Sequence, residues 1–249
     1  MNDLKKILTD EFIAENHRGI RIFEEFYKTR KKLQQQEIKN TIVMFGSART
    51  KEDDENECNR KYYEAARELA FKLAAWSKEV YADKPNKDKY YICTGGGGGI
   101  MEAANKGASQ AGERTIGLNI QLPFEESANG YIPDDLVFMF HYFFIRKFYF
   151  VYHAKAFVIF PGGFGTFDEL FEILTLAQTH KMQETIPFVI FGKKFFEKVL
   201  NIDMLLEHGL ISESDKNLFI LTDDIEEAFL HITKNIDKYK GVVDYLKHK

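Results

Sequence analysis

The sequence is poor in cysteine and has no strong excess of either charge. Its 249 residues include two cysteines, Cys58 and Cys93, which are too few for a disulfide framework or a zinc site, so we expect a cytoplasmic location. The formal net charge of −4 gives no general attraction to nucleic acid or to acidic membranes, so we expect neither as a partner. The seven histidines are scattered without metal-ligand spacing, and we predict no metal site.

Long hydrophobic runs are also lacking. The most hydrophobic stretch, residues 136–152, is interrupted by His141, Arg146 and Lys147, which argues against a membrane span. The first residues are charged and surround no apolar segment, so we expect no secretory signal. A composition of 45% hydrophobic and 29% charged residues is typical of a globular protein that buries a sizeable core.

Short apolar segments alternate with amphipathic segments along the chain. The first kind predicts strands at 41–45, 90–94, 116–120, 136–140, 157–160, 186–191 and 218–221. The second kind predicts helices at 3–36, 62–78, 100–111, 141–153, 167–179, 195–208 and 223–237. This alternation predicts an α/β fold with a doubly wound, mostly parallel, Rossmann-like sheet and helices on both faces. We find no linker, and we expect a helical extension at 1–38 followed by one nucleotide-binding domain at 39–249.

The predicted N-terminal helix has an apolar face and a strongly polar end over residues 28–36. We interpret it as a helix that packs on the edge of the domain or contacts another copy of the chain. A catalytic role is the less favoured interpretation.

Residues 156–170 combine a buried strand, a glycine-rich turn and a predicted helix. Residues 161–165, Pro-Gly-Gly-Phe-Gly, stop the strand, and Thr166 is predicted to cap a helix over 167–179. Free backbone N–H groups and the helix dipole converge in such a turn, which therefore predicts an anion site. Asp168 and Glu169 follow in the predicted first turn, so a bound phosphate would lie beside an acid that can do chemistry.

Two other predicted strands end in small turns. Ser47 and Arg49 follow the first strand and could contact a phosphate or a ribose, although a simple turn explains this stretch equally well. Residues 95–99 are five consecutive glycines before a helix. This run favours close backbone approach to a ligand over a purely structural loop. It is not an informative dinucleotide fingerprint, and no Gly-Lys-Ser/Thr follows it as in a P-loop.

The predicted helix at 141–153 carries Arg146 among aromatic side chains. Four of them lie three or four residues away, at Tyr142, Phe143, Tyr149 and Phe150. A cation in a partly apolar setting needs an anionic partner, and the phosphate site and Glu169 are the nearest candidates.

Three of these segments together resemble a known family. Residues 161–169, Pro-Gly-Gly-x-Gly-Thr-x-x-Glu, the glycine-rich segment 94–105 and the pair Arg146-Lys147 resemble the motifs of the LOG family. Its members are nucleoside 5′-monophosphate phosphoribohydrolases, including cytokinin-activating enzymes, and many carry the older label of possible lysine decarboxylase. The resemblance runs from about residue 41 to about residue 221. The N-terminal forty residues resemble the extension of a longer bacterial branch.

The resemblance implies hydrolysis of the N-glycosidic bond of AMP or an N6-substituted AMP, without a cofactor, by a homodimer or larger homo-oligomer. It implies Arg146 and Glu169 as the catalytic residues. It implies substrate-binding roles for Ser47, Gly96, Gly97, Gly98, Gly99, Met101, Glu102, Lys147, Gly162, Gly163, Gly165, Thr166 and Thr175. Glycoside cleavage passes through an oxocarbenium-like state, which a carboxylate stabilises. We expect Arg146 to pair with Glu169 or to contact substrate oxygens. Asp168 and Glu172 could supply a second carboxylate to the reaction, but a solvated helix face is the favoured interpretation for both.

Three other functions remain as alternatives. A protein of the same fold could bind a nucleotide without turning it over. A pyridoxal phosphate decarboxylase would need a Schiff-base lysine in a recognisable setting, and the sequence shows none. A dinucleotide oxidoreductase would need an acidic ribose-binding residue after the next strand, where Gln121 stands instead.

Overall fold

The computed structural model describes residues 17–122, 128–182 and 186–238. Seven strands lie at β1 Asn40–Phe45, β2 Tyr90–Thr94, β3 Thr115–Ile120, β4 Val137–Phe140, β5 Ala154–Ile159, β6 Phe188–Phe191 and β7 Ile220–Thr222. They form one sheet in the order β4-β3-β2-β1-β5-β6-β7, and every neighbouring pair is parallel. The predicted α/β fold with a doubly wound parallel sheet is therefore confirmed.

Eight α-helices accompany the strands in the described ranges. They are α1 His17–Gln35, α2 Glu57–Val80, α3 Ile100–Gln110, α4 Phe143–His153, α5 Phe164–Gln178, α6 Lys193–Val199, α7 Ile202–Glu207 and α8 Ile225–Asn235. Side chains of α1, α4, α5 and α6 join the core on one face of the sheet, and those of α2, α3 and α8 join the core on the other. None of the helices in these ranges combines the length and the apolarity needed to cross a membrane.

The central strands are buried on both faces because helices cover both sides of the sheet. In β1, Ile42 and Met44 point into one core, whereas Val43 and Phe45 point into the other. This arrangement explains why the segment is a continuous apolar run rather than an alternating one.

The order of the strands creates a switch point beside β1. The chain moves outward from β1 to β4 and then returns to place β5 on the other side of β1. The turns after β1 and β5 therefore leave the sheet side by side, which is where open α/β sheets bind ligands. A hydrogen bond of 3.0 Å from the Ser47 backbone N–H to the Pro161 carbonyl joins the two turns.

Several predicted elements differ from the structure. The predicted helix at 195–208 is two helices, α6 and α7, because the chain is interrupted at Leu200 and the Asn201 side chain caps α7 by accepting a 2.9 Å hydrogen bond from the Met204 N–H. The helix predicted at 3–36 is observed from His17. Residues 3–16 of that prediction lie outside the described residues.

Candidate active site

A cavity of about 650 Å³ opens at the switch point, outside the ends of β1 and β5. Backbone turns form one part of its lining, at Gly46, Gly95, Gly163 and Gly165. Polar side chains form a second part, at Ser47, Arg49, Arg146, Thr166 and Glu169. Apolar side chains complete it, and they include Phe45, Met101, Ile120, Leu122, Phe143, Phe150, Phe164 and Phe167.

The cavity brings together about half of the predicted site residues. Ser47, Met101, Arg146, Gly163, Gly165, Thr166 and Glu169 line it. Gly96, Gly97, Gly98, Gly99, Glu102 and Gly162 lie outside its lining. Lys147 and Thr175 line an adjacent groove along α5, which shares Phe164 and Phe167 with the cavity. The Thr175 hydroxyl donates a 2.7 Å hydrogen bond to the Phe171 carbonyl within its own helix.

Helix α5 begins three residues earlier than predicted. Its N-cap is Gly163, which supplies no side-chain hydrogen bond, and Phe164 is its first residue. The prediction that Thr166 caps the helix is therefore wrong, since Thr166 already lies within the first turn. Glu169 consequently lies in the second turn rather than the first. Tertiary packing here overrides the low helix propensity of Gly165.

The three glycines of the Pro-Gly-Gly-Phe-Gly turn differ in the space around them, and so in why glycine suits each position. A Cβ atom on Gly162 would lie 2.1 Å from the Thr166 hydroxyl oxygen and 2.9 Å from the Ser47 backbone nitrogen, so packing requires glycine there. At Gly163 and Gly165, by contrast, a Cβ atom would meet no atom of the described chain within 4 Å. These two positions face the open cavity, and their bare backbone is accessible to a ligand.

Packing accounts for two of the five consecutive glycines. Gly96 and Gly99 have positive φ angles of 75° and 68°. A Cβ atom on Gly99 would lie 2.1 Å from the Ser47 carbonyl oxygen, and one on Gly96 would lie 2.0 Å from the Asn119 side-chain oxygen. The structural explanation, which the sequence disfavoured, therefore accounts for these two glycines. Of residues 95–99, only Gly95 lines the cavity.

A buried polar network that the sequence analysis did not identify holds this glycine run. The Thr94 hydroxyl donates to the Asn105 side-chain oxygen at 2.7 Å and accepts from the Gly96 N–H at 2.9 Å. The Asn129 amide donates to the carbonyls of Gly96 and Gly97 and to Asn105. Asn105 is fully buried. The sequence indicates the role of Asn105 only through its position in the segment after the glycines, because its hydrogen-bond partners are distant in the sequence.

Arg146 reaches the cavity from the first half of α4. Its guanidinium carbon lies 5.1 Å from the centre of the Phe143 ring and 5.6 Å from that of Phe150. The predicted aromatic setting is thus confirmed for these two rings, which contact the cation through their π faces. The guanidinium also lies close enough to Glu169 for its charge to lower the pKa of that carboxyl.

Glu169 is 5% exposed and forms an ion pair with Lys147, the residue that follows Arg146 in α4. The ammonium of Lys147 lies 3.2 Å from Oε1 of Glu169, 2.9 Å from Oδ2 of Asp168 and 2.7 Å from Oε2 of Glu172. The prediction of a solvated face is confirmed for Asp168, whose side chain is 62% exposed, whereas Glu172 is partly buried. The pairing of both carboxylates with Lys147 was not predicted. The helical spacing of 168, 169 and 172 places all three carboxylates on the side of α5 that faces α4.

Burial and the neighbouring cations shift the pKa of Glu169 in opposite directions. Burial raises the pKa of Glu169 above its ordinary value, and the charge of Glu172 adds to that shift. The Lys147 ammonium, through its charge and its hydrogen bond, and the charge of Arg146 partly offset it. For Lys147 itself, burial lowers the pKa, but the hydrogen bonds to Glu172 and Asp168 and the charge of Glu169 outweigh burial and raise it.

Comparison with known proteins identifies the family of this chain. The model of the family described as possible lysine decarboxylase matches residues 101–232, which include Arg146 and Glu169. The chain belongs to the LOG family. A probable cytokinin riboside 5′-monophosphate phosphoribohydrolase, LOG4 of Oryza sativa subsp. japonica, is 29% identical over 56% of this chain and 60% of its own length. The match thus spans less than two thirds of that relative.

A second LOG relative is matched along nearly its whole length. The probable cytokinin riboside 5′-monophosphate phosphoribohydrolase LOG6 of Arabidopsis thaliana is 23% identical over 87% of this chain and 98% of its own length. The X-ray structure of a structural-genomics target, TM1055, covers 78% of this chain and 99% of its own, with a TM-score of 0.51 and 18% identity. That last likeness concerns the fold alone.

Proposed function

We propose that the chain is a nucleoside 5′-monophosphate phosphoribohydrolase that cleaves AMP or an N6-substituted AMP into the free base and ribose 5-phosphate. The observation that carries this proposal is the placement of a buried carboxylate, Glu169, and a cation, Arg146, in one cavity with the open turn at Gly163 and Gly165. LOG family membership supports the same reaction, because its named relatives are phosphoribohydrolases acting on a riboside 5′-monophosphate.

The substrate's phosphate is bound at the N-terminus of α5. The first N–H groups of a helix have no partner within the helix, and its dipole favours an anion at that end. Among the described residues, no atom lies within 4 Å of a Cβ position at Gly163 or Gly165, and the Thr166 hydroxyl lies beside them in the cavity lining. Ser47 approaches the same turn from β1. These groups suit a phosphate monoester and fix the ribose relative to Glu169.

Glu169 acts on the anomeric carbon. The bond from C1′ to the base nitrogen breaks while a water oxygen bonds to C1′, and one proton of that water ends on the departing base. The ionised carboxylate stabilises the oxocarbenium-like transition state and accepts the proton of the attacking water, which then passes to the departing base and leaves the carboxylate ionised again. A carboxylate in the second turn of α5 lies one helical turn from the phosphate site at its N-terminus, so one helix holds both ends of the ribose phosphate.

Arg146 and Lys147, which are adjacent in α4, have different roles. Arg146 lines the cavity, where its guanidinium contacts substrate oxygens and balances the charge of Glu169. Lys147 faces the three carboxylates of α5 and keeps Glu169 in place and ionised. We therefore assign Lys147 to positioning rather than to substrate binding. The base lies against the apolar side of the cavity, where Phe143, Phe164 and Leu122 supply flat or aliphatic contacts.

A panel of nucleotides tests the proposal. The protein is incubated with AMP, an N6-substituted AMP, GMP, CMP, adenosine and ADP, and released base and ribose 5-phosphate are quantified. We expect hydrolysis of at least one monophosphate, and much slower hydrolysis of adenosine, which lacks the phosphate. AMP binding without hydrolysis of any monophosphate would refute the proposal and would favour a nucleotide-binding protein without turnover. Faster hydrolysis of adenosine than of AMP would contradict the assigned phosphate site.

A further inference from the structure

Helix α4, which carries Arg146 and Lys147, is capped by a residue of α1. Glu25 accepts a 2.9 Å hydrogen bond from the His141 backbone N–H and one of 3.3 Å from the Tyr142 backbone N–H. Its Oε2 atom also lies 3.1 Å from Nδ1 of the His141 ring. The Glu25 side chain is only 10% exposed. The carboxylate is thus fixed against the start of α4 although 116 residues separate it from His141 in the sequence.

The start of α4 lacks a cap from its own residues. Within the described chain, its N-cap residue Tyr142 makes no side-chain capping hydrogen bond, and its first turn holds no acidic residue. The first N–H groups of a helix need acceptors, and the positive end of the dipole favours a negative charge. From α1, Glu25 supplies the negative charge and accepts hydrogen bonds from the N-cap N–H of Tyr142 and from the His141 N–H just before it. Side-chain caps of this kind are normally local, so this one links the position of α4 to the presence of α1.

Other contacts place α1 along α4. The Tyr149 hydroxyl donates a 2.6 Å hydrogen bond to the Phe26 carbonyl. The Phe26 ring lies 5.2 Å from the Phe148 ring and 5.5 Å from that of Tyr149. Glu25 differs from these contacts because it lies at the end of α4 that precedes Arg146. The Arg146 backbone N–H itself donates to the Tyr142 carbonyl at 3.2 Å, within the turn that Glu25 holds.

We propose that Glu25 is a positioning residue of the active site, whose carboxylate fixes the first turn of α4 and so sets Arg146 and Lys147 against Glu169. This inference rests on the proposed function, because it assigns α1 a role in the reaction that Glu169 and Arg146 carry out. It gives α1 a catalytic purpose beyond covering the edge of the sheet. The phosphate site on α5 has no contact with Glu25 in the described structure, so the effect concerns the rate of cleavage more than the binding of phosphate.

The test compares four variants in the full chain, each assayed at a temperature at which it is folded. Glu25→Ala removes the cap, and Glu25→Gln keeps a carbonyl oxygen that accepts one backbone N–H. Glu24→Gln is the charge control, because the neighbouring Glu24 is exposed and pairs with Lys28 on α1. Tyr149→Phe is the packing control, because it removes another hydrogen bond between α1 and α4, the one to the Phe26 carbonyl.

We expect Glu25→Ala to lower kcat for AMP about tenfold while KM changes less than about threefold, since a small misplacement of catalytic groups impairs the transition state first. Glu25→Gln recovers part of that loss. Glu24→Gln and Tyr149→Phe keep a kcat close to that of the wild type. A kcat that falls equally in Glu25→Ala and Tyr149→Phe, or in neither, would overturn the proposal and leave Glu25 a purely structural contact.

Hydrogen exchange in the same samples separates this inference from the proposed function. The amides of residues 141–146 exchange faster in Glu25→Ala than in the wild type or in Tyr149→Phe. If the wild type releases no ribose 5-phosphate, the proposed hydrolysis fails, and exchange alone decides the role of the cap. Unchanged exchange at His141 and Tyr142 would then overturn the positioning role, and selectively faster exchange there would support it.

Discussion

The ammonium of Lys147 lies 3.2 Å from the Glu169 carboxylate and holds two further carboxylates at shorter distances. Because three acids share one partly buried cation, the cluster depends strongly on that cation. The Lys147 side chain is 16% exposed, so solvent compensates for its loss only in part. The adjacent Arg146 points into the cavity instead. The two neighbouring cations of α4 thus face different groups, Lys147 the three carboxylates and Arg146 the cavity.

The pH dependence of hydrolysis tests this division. Burial holds the pKa of Glu169 above its ordinary value, so we expect activity to fall on the acidic side at a higher pH than an exposed glutamate would give. Lys147→Met removes the charge and the hydrogen bond that lower this pKa, so the acidic limb moves to higher pH and activity at neutral pH falls. Lys147→Arg, which keeps a cation, shifts the limb less. A pH–activity profile of Lys147→Met whose acidic side is unshifted would contradict the contact between Lys147 and Glu169.

Lys147→Met also destabilises the fold. It leaves the Asp168, Glu169 and Glu172 carboxylates together without their cation, and we expect the free energy of unfolding to fall by about 2 kcal/mol. The pKa of Lys147 is raised above its ordinary value of 10.5, so its stabilisation is present at neutral pH and is lost only as the pH rises through the folded pKa. Urea unfolding at pH 7 measures the difference. Equal stability of the two proteins would contradict it.

Gly165→Ala separates ligand approach from folding. A Cβ atom there meets no described atom within 4 Å, so we expect no loss of stability and a gain of up to about 0.5 kcal/mol. The methyl group enters the space assigned to phosphate, so the affinity for AMP falls about tenfold or more, by roughly 1.4 kcal/mol. Gly19→Ala in α1 is the control, because its Cβ atom is equally unobstructed. Calorimetric AMP titration of both variants distinguishes them, and equal affinities would contradict the assigned phosphate site.

Two neighbouring glycines of the five-glycine run test its structural role. Gly99 has a φ of +68°, and its Cβ atom would lie 2.1 Å from the Ser47 carbonyl oxygen. We therefore expect Gly99→Ala to lower the free energy of unfolding by about 3 kcal/mol or more. At Gly98 the nearest atom is the Ala48 carbonyl oxygen at 3.5 Å, an ordinary contact. Gly98→Ala should change stability by less than about 1 kcal/mol. Thermal unfolding of the two variants measures this difference in stability. Similar losses of stability in Gly99→Ala and Gly98→Ala would contradict the packing explanation.

Most of the fold is predictable from the sequence because hydrophobic patterns determine it locally. Residues 90–94 coincide with β2, and the other strands fall within a few residues of their predicted positions. The start of α5 is not predictable in this way, because glycines at 162, 163 and 165 suggest a turn while the packing of Phe167 and Leu170 continues the helix through Phe164. Local propensity and tertiary packing conflict there.

The site is predictable as a set of residues but not as a set of contacts. The motif spacing brings Arg146 and Glu169 to one cavity, which the structure shows. The direction in which Lys147 points depends on how α4 rotates against α5, and no local pattern records that rotation. The distinction between Gly99, which packing requires, and Gly165, which faces open space, depends on atoms of β1 and on the shape of the cavity. The Glu25 cap depends on contacts across the fold for the same reason.

Release of ribose 5-phosphate from AMP by the wild type and by Glu169→Gln, with AMP binding measured in both, tests the central claim most directly. We expect hydrolysis by the wild type, a loss of about a hundredfold or more in Glu169→Gln, and retained AMP binding, because the amide lacks the charge that the transition state needs. Asp168→Asn, which alters an exposed carboxylate of the same cluster, loses less than about threefold by comparison. Equal rates in the wild type and Glu169→Gln would contradict the account.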